Sequence, residues 1–314
     1  MKRPARVARL ISTGMFAAIM AGATAAASSA RVDAPPDPAR EATAPMKQAV
    51  GAGGAQDPFV AHADSALARL VQLHRAIRDI HPFLARLQPI AIVRGDTLYV
   101  FDADSSGARY VLKAKGPEPF PMPKGIRASF PLSSYGDRPS CIVSPEALDD
   151  FSGLPTIFHE FIHCAQFQTV EPRLKERLLV AREAARKNDF SWELNHPFPY
   201  QDAQFVKDYG AFLDALAQAD AARISAAIDL LKKHLARTDY EYLVWQEWKE
   251  GFARYVENRI RARLGIAANV GGSAVPYDRV TFYCGGEMFI ACLVRQDPSL
   301  LTDMERLFAR MLGS

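Results

Sequence analysis

The stretch that decides the fold runs Leu154-Pro155-Thr156-Ile157-Phe158-His159-Glu160-Phe161-Ile162-His163-Cys164-Ala165-Gln166-Phe167-Gln168. Its only charged residue is Glu160. Its one proline stands near the start, where a first helical turn needs no backbone N–H. Nearly everything else is apolar, so the stretch predicts a buried helix. On that helix His159 and His163 lie about 40° apart around the axis, and both rings can reach one metal ion. Glu160 follows the first histidine directly. A carboxylate in so apolar a helix is costly unless a cation compensates it. Next to a metal it could take a proton from a bound water. The bland alternative is a core helix whose histidines are satisfied by ordinary hydrogen bonds.

A catalytic zinc usually has three protein ligands and one open position, so the third ligand decides the class. A metzincin would continue with Gly and His at set offsets, but Gln166 and Thr169 occupy those places and exclude it. Far downstream comes Trp245-Gln246-Glu247-Trp248-Lys249-Glu250-Gly251-Phe252-Ala253-Arg254-Tyr255-Val256-Glu257. Glu250-Gly251-Phe252-Ala253, with Tyr255 and Glu257 following, resembles the N-E-G-F-A helix of the gluzincin zinc peptidases. That superclan includes aminopeptidase-N-like and thermolysin-like branches. The resemblance implies a zincin-like α+β fold, one zinc ion per chain held by His159, His163 and Glu250, and Glu160 as general base.

The residues agree with that role for Glu250. It stands among Trp and Phe, where an unpaired carboxylate would be expensive. Val244, Trp248, Phe252, Tyr255 and Ile260 form a helical-period stripe that predicts core packing. Glu247, about 60° around the helix, is the competing third ligand. Glu257, two turns beyond Glu250, could orient a ligand histidine or form an ion pair with Arg254 or Arg261. Lys249 stands where the aminopeptidase-like pattern has Asn, the spacing between motifs is longer than in either branch, and no amine-binding motif lies between them. Exopeptidase activity is therefore not implied.

Residues 1–30 read as a secretory signal peptide, with Lys2, Arg3, Arg6 and Arg9 ahead of an Ala-rich apolar stretch and small residues at Ser28 and Ala30. Removing those four basic residues takes the formal charge from +3 to −1. A mature chain so near neutrality offers no case for nucleic-acid binding. No membrane anchor is expected after cleavage, and the expected location is periplasmic or secreted. Residues 31–57 read as a disordered linker, with a short pro-segment as the alternative. Cys141, Cys164, Cys284 and Cys292 could pair in three ways, and sequence cannot choose. Cys164 reads as core rather than metal-binding.

Residues 58–314 are expected to form one two-lobed domain, a small β-sheet subdomain packed on the metal helix and then a mostly helical lobe. Apolar spacing predicts a helix from Pro58 to Leu84. Short strands are expected at Ile90 to Val93, Leu98 to Phe101, Tyr110 to Leu112, Ile126 to Leu132 and Ser140 to Val143. One of the last two is expected to supply an edge strand that binds extended peptide. Glu171 to Asn188 reads as one solvated helix, followed by helices at Gln201 to Gln218, Ala221 to Leu235, Tyr240 to Leu264 and Phe282 to Val294.

Peptide hydrolysis also needs a donor for the oxyanion. Tyr283, in Thr281-Phe282-Tyr283-Cys284-Gly285-Gly286, resembles the Tyr-plus-Gly segment of several gluzincins and is the leading candidate; Tyr277 and His196 are weaker ones. His62, His74, His81 and His234 read as surface or core residues. The leading function is an exported zinc peptidase acting on peptide or protein. The alternatives are a zinc-binding, non-catalytic envelope protein and an amidase acting on cell-wall peptides.

Overall fold

A computed structural model describes residues 47–48, 57–119, 121–149 and 151–313. The expected signal peptide and most of the expected linker lie outside these residues. Within that linker, Lys47–Gln48 forms a short strand, β1. Helix α1, Pro58–Ile77, begins at Asp57, whose carboxylate accepts from the Phe59 N–H at 3.0 Å. It ends earlier than the apolar pattern predicted, and Pro82–Leu84 follows as a separate 3-10 turn capped by the His81 ring.

Five further strands follow: β2 (Ile90–Arg94), β3 (Thr97–Ala103), β4 (Tyr110–Pro117), β5 (Arg127–Leu132) and β6 (Arg138–Val143). They form a mixed sheet in the order β1-β4-β3-β2-β6-β5. The pairs are antiparallel except β2 with β6. Gly95, at φ 57°, provides the left-handed residue of the turn joining β2 and β3. The central strands β2, β3 and β6 are buried on both faces. Ile90, Ile92, Tyr99, Phe101, Cys141 and Val143 join the main helical core. Ala91, Val93, Leu98, Val100 and Ile142 pack beneath Ile126, Phe130 and Leu132 in a smaller cluster. This double burial explains why β2 reads as a continuous apolar run rather than an alternating one.

The metal-motif helix α2, Leu154–Thr169, is buried from Leu154 to Gln166 apart from Thr156. It lies against β5 and β6 on one side and a long later helix on the other. The predicted single helix from Glu171 to Asn188 is two: α3 (Glu171–Lys175) and α4 (Leu179–Arg186). It is not a solvated face. Leu174, Leu178 and Val180 are buried, and a Glu241 carboxylate accepts the Val180 N–H at 3.1 Å, fixing a fresh helix start.

A short helix α5 (Trp192–Asn195) precedes α6 (Ala203–Ala217) and α7 (Ala221–His234), capped by Asp202 and Asp220. Next come α8 (Arg237–Arg263), α9 (Arg279–Gln296) and α10 (Met304–Leu312). Glycines set the crossing of α8 and α9. A Cβ added to Gly251 would lie 2.5 Å from the Gly286 Cα, and one added to Gly286 would strike the Glu247 backbone. Only glycine permits this approach, and it brings the first turns of α9 beside Glu250. All four cysteines are free and buried. Among the described residues, no helix is long and apolar enough to cross a membrane.

Candidate metal centre

The site is built where α2 meets α8. His159 and His163 project from α2 as their i, i+4 spacing dictates, and both are buried. Glu250 reaches them from α8. The Nε2 atoms of the two rings are 3.1 Å apart. Glu250 Oε2 is 3.1 Å from His163 Nε2 and 3.5 Å from His159 Nε2. A tetrahedral zinc with ligands at 2.0–2.1 Å has donor–donor edges of about 3.3 Å, so this triangle fits such an ion. Among the described residues it is the one His/Cys/Asp/Glu group with converging donor atoms of this kind.

The other ring nitrogens are already committed. His159 Nδ1 is 3.0 Å from Glu257 Oε2, and Glu257 Oε1 accepts from Arg261 Nε at 2.7 Å. Both roles considered for Glu257 therefore hold together, with Arg261 rather than Arg254 as its cation. His163 Nδ1 is 2.9 Å from Gln166 Oε1, and the Gln166 amide in turn donates to the Lys249 carbonyl at 3.3 Å. With each Nδ1–H donated outward, each Nε2 is the ring nitrogen turned towards Glu250 and available to a metal ion.

The electrostatics follow from burial and pairing. Burial opposes charge on His159, but its hydrogen bonds to Glu250 and Glu257 prevail and lift its pKa to about 10. Burial likewise opposes ionisation of Glu257, yet His159 and Arg261 hold it at about 2. Glu250 is lowered well below the carboxylate range: its burial is outweighed by His163 and His159. Glu160 behaves oppositely. Burial pushes it up, and the two histidines offset that only in part.

Glu247, the competing ligand, points away. It accepts a hydrogen bond from the Tyr209 hydroxyl at 2.6 Å, and burial raises its pKa to about 8. The two motifs thus converge on Glu250, and Glu247 belongs to the core between α6 and α9.

These groups open onto a cavity of about 300 Å³. Its walls include Arg127 to Phe130 of β5, Glu160 of α2, and Tyr283 and Arg279 of α9. Of the two strands considered, β5 is at an edge of the described sheet and β6 is interior. Tyr283 stacks near His159, with ring centroids 6.4 Å apart. Burial, then the charge of Glu250, keep its phenol protonated. His196 instead pairs with Asp239 at 2.6 Å, and Tyr277 packs against Phe205 and Tyr209, so neither weaker oxyanion candidate lines the cleft. Cys164 faces Ser129 of β5, 3.6 Å away, as a core thiol.

Comparison with known proteins finds no match to a family model, a curated protein or a solved structure. What the site can do is taken from its own residues.

Sequence reasoning missed three of them. Gln166 is on the same helix face as His163 at i+3, but a glutamine there reads as ordinary core. Lys249 belongs to a closed ring of charges, with Lys175 2.6 Å from Glu171 and 2.5 Å from Glu193, and Lys249 3.2 Å and 2.7 Å from the same two carboxylates. Arg279 lies one turn before Tyr283, a spacing that becomes informative only once α9 is known to cross α8.

Proposed function

We infer that this chain is an exported zinc-dependent hydrolase of peptide bonds. The observation that carries the reading is a pair of features in one cleft. Three donors converge at metal-ligand spacing, and a buried carboxylate with a raised pKa, Glu160, lines the same cavity without joining the donor triangle. A purely structural metal site has no use for that carboxylate.

When bound, zinc would polarise the scissile carbonyl and bring the pKa of water down to about 7. His159, His163 and Glu250 would hold it. Glu160 accepts a proton from the attacking water as the hydroxyl adds to the carbonyl carbon. It then delivers that proton to the departing amine as the C–N bond breaks. Tyr283, kept protonated, donates to the oxygen that gains charge. An extended substrate lies along β5, whose residues Arg127 to Ser129 face the cavity.

The test uses purified full-length protein. One zinc per chain and chelator-sensitive cleavage of an unstructured protein are expected, with Glu160→Gln keeping the metal and losing turnover. Full turnover in that variant would remove the mechanism. Zinc binding without cleavage of any protein or cell-wall peptide would leave the non-catalytic binding role.

A further inference from the structure

Arg279 is the first residue of α9 and lines the cavity of the donor triangle. About a third of its side chain is exposed (32%), and the one carboxylate within reach is Glu250, with Nη1 3.7 Å from Oε1. That is too long for a hydrogen bond. Its guanidinium lies against the Tyr283 ring and near Glu250, but among the described residues none accepts a hydrogen bond from its planar fork of donors.

Arg254, one turn beyond Glu250 on α8, lines the same cavity and is 4% exposed. Its Nη1 donates to the Gly271 carbonyl at 2.5 Å, but its buried Nε has no partner. The two guanidinium carbons stand 5.0 Å and 5.4 Å from the Tyr283 ring centroid, which fixes both cations next to the proposed oxyanion donor.

Most other charges of the cleft are matched. Lys249 is neutralised by Glu171 and Glu193, and Glu257 by Arg261 and His159. With Glu250 Oε2 given to a divalent ion, neither Arg279 nor Arg254 donates a hydrogen bond to a carboxylate among the described residues, although Arg254 acts on the charge of Glu287 and Arg279 on that of Glu250. Partly buried cations without a hydrogen-bonded anion are costly, and a guanidinium fork matches a carboxylate in two parallel hydrogen bonds.

We propose that Arg279, backed by Arg254, receives a carboxylate of the substrate, so that the cleft selects peptides bearing an acidic side chain or a free C-terminus beside the bond to be cut. This rests on the peptidase reading and assigns its substrate class.

The experiment uses the zinc-loaded full chain and matched peptide pairs. One pair differs by Glu against Gln next to the scissile bond; the other by free acid against C-terminal amide. The pair that discriminates identifies the source of the carboxylate. Turnover is read as the ratio of kcat/KM within a pair, and binding to Glu160→Gln protein is read by calorimetry. We expect the carboxylate member to be favoured about tenfold or more in one pair, as hydrogen bonds to a charged group allow. We expect that ratio to fall towards one in Arg279→Gln and partly in Arg279→Lys. Ratios near one in wild type, or equal losses on both members in Arg279→Gln, would overturn the proposal. Preferential binding with no turnover of any peptide by the wild type would uphold it and sink the peptidase reading instead.

Discussion

His159 Nδ1 stands 3.0 Å from Glu257 Oε2, two helical turns beyond Glu250 on the same helix. One face of α8 thus holds the ring twice, by Glu250 at Nε2 and by Glu257 at Nδ1. Removing the orienting charge should free the ring to tilt and lose basicity. Glu257→Gln is expected to weaken zinc binding by about 10–100-fold while leaving stoichiometry at one. Competition titration with a chromophoric chelator checks this. An unchanged dissociation constant would mean that Glu257 serves only its ion pair with Arg261.

Gln166 plays the same part for His163, but as a neutral relay to the Lys249 carbonyl. Gln166→Ala should lower zinc affinity in the same range, and it also removes the side-chain donor to the Lys249 carbonyl. Gln166→Glu restores an acceptor for Nδ1 and should recover metal binding more than stability. If neither variant changes zinc affinity, the contact to His163 is only packing.

How much of this was legible beforehand depends on distance along the chain. The α2 helix was, because its periodicity and its two histidines are local. Glu250 was reached by resemblance, and the convergence of its Oε2 on both rings depends on a helix crossing that no local pattern encodes. The β5 edge was narrowed to two strands, and only the sheet order separates them. The stretch after Thr169 was misread because its charges hide Leu174, Leu178 and Val180, which tertiary packing draws inward. Arg279 and the Lys175–Lys249 charge ring were invisible for a related reason: their partners come from segments far apart in sequence.

Glu247 supplies a pH signature. Its folded pKa is about 8 against an ordinary 4.5, so the proton is held more tightly when folded. Its contribution to stability is complete below pH 4.5, declines as pH rises, and is lost above about 8. Glu247→Gln keeps an acceptor for Tyr209 and removes that decline. The variant should be more stable than wild type at pH 9 by up to a few kcal/mol, with zinc content unchanged. Glu250→Gln, by contrast, should lose zinc. Urea unfolding across pH and metal analysis check both, and the reverse pattern would transfer the ligand role to Glu247.

Gly251 tests the crossing. A methyl group there meets the Gly286 Cα at 2.5 Å, backbone against backbone, so neither helix can yield by rotating a side chain. Gly251→Ala should destabilise by about 1–3 kcal/mol and shift Tyr283 and Arg279 away from the donors. Activity should then fall more than zinc content does. Equal stability, read by thermal unfolding, would show that α8 and α9 are less tightly apposed.

Lys249 next to the ligand position is the departure from the pattern that the structure explains. Its ammonium bridges Glu171 and Glu193, and Lys175 closes the ring from the other side. The two carboxylates also join α3 and α5 to the base of the site. Lys249→Met leaves two largely buried carboxylates sharing one cation, which should cost about 3–5 kcal/mol. Adding Glu193→Gln removes the surplus charge and should restore part of the loss, so the double variant is more stable than Lys249→Met alone. A loss under about 1 kcal/mol in Lys249→Met, measured by denaturant midpoint, would reduce the ring to an ordinary surface pair.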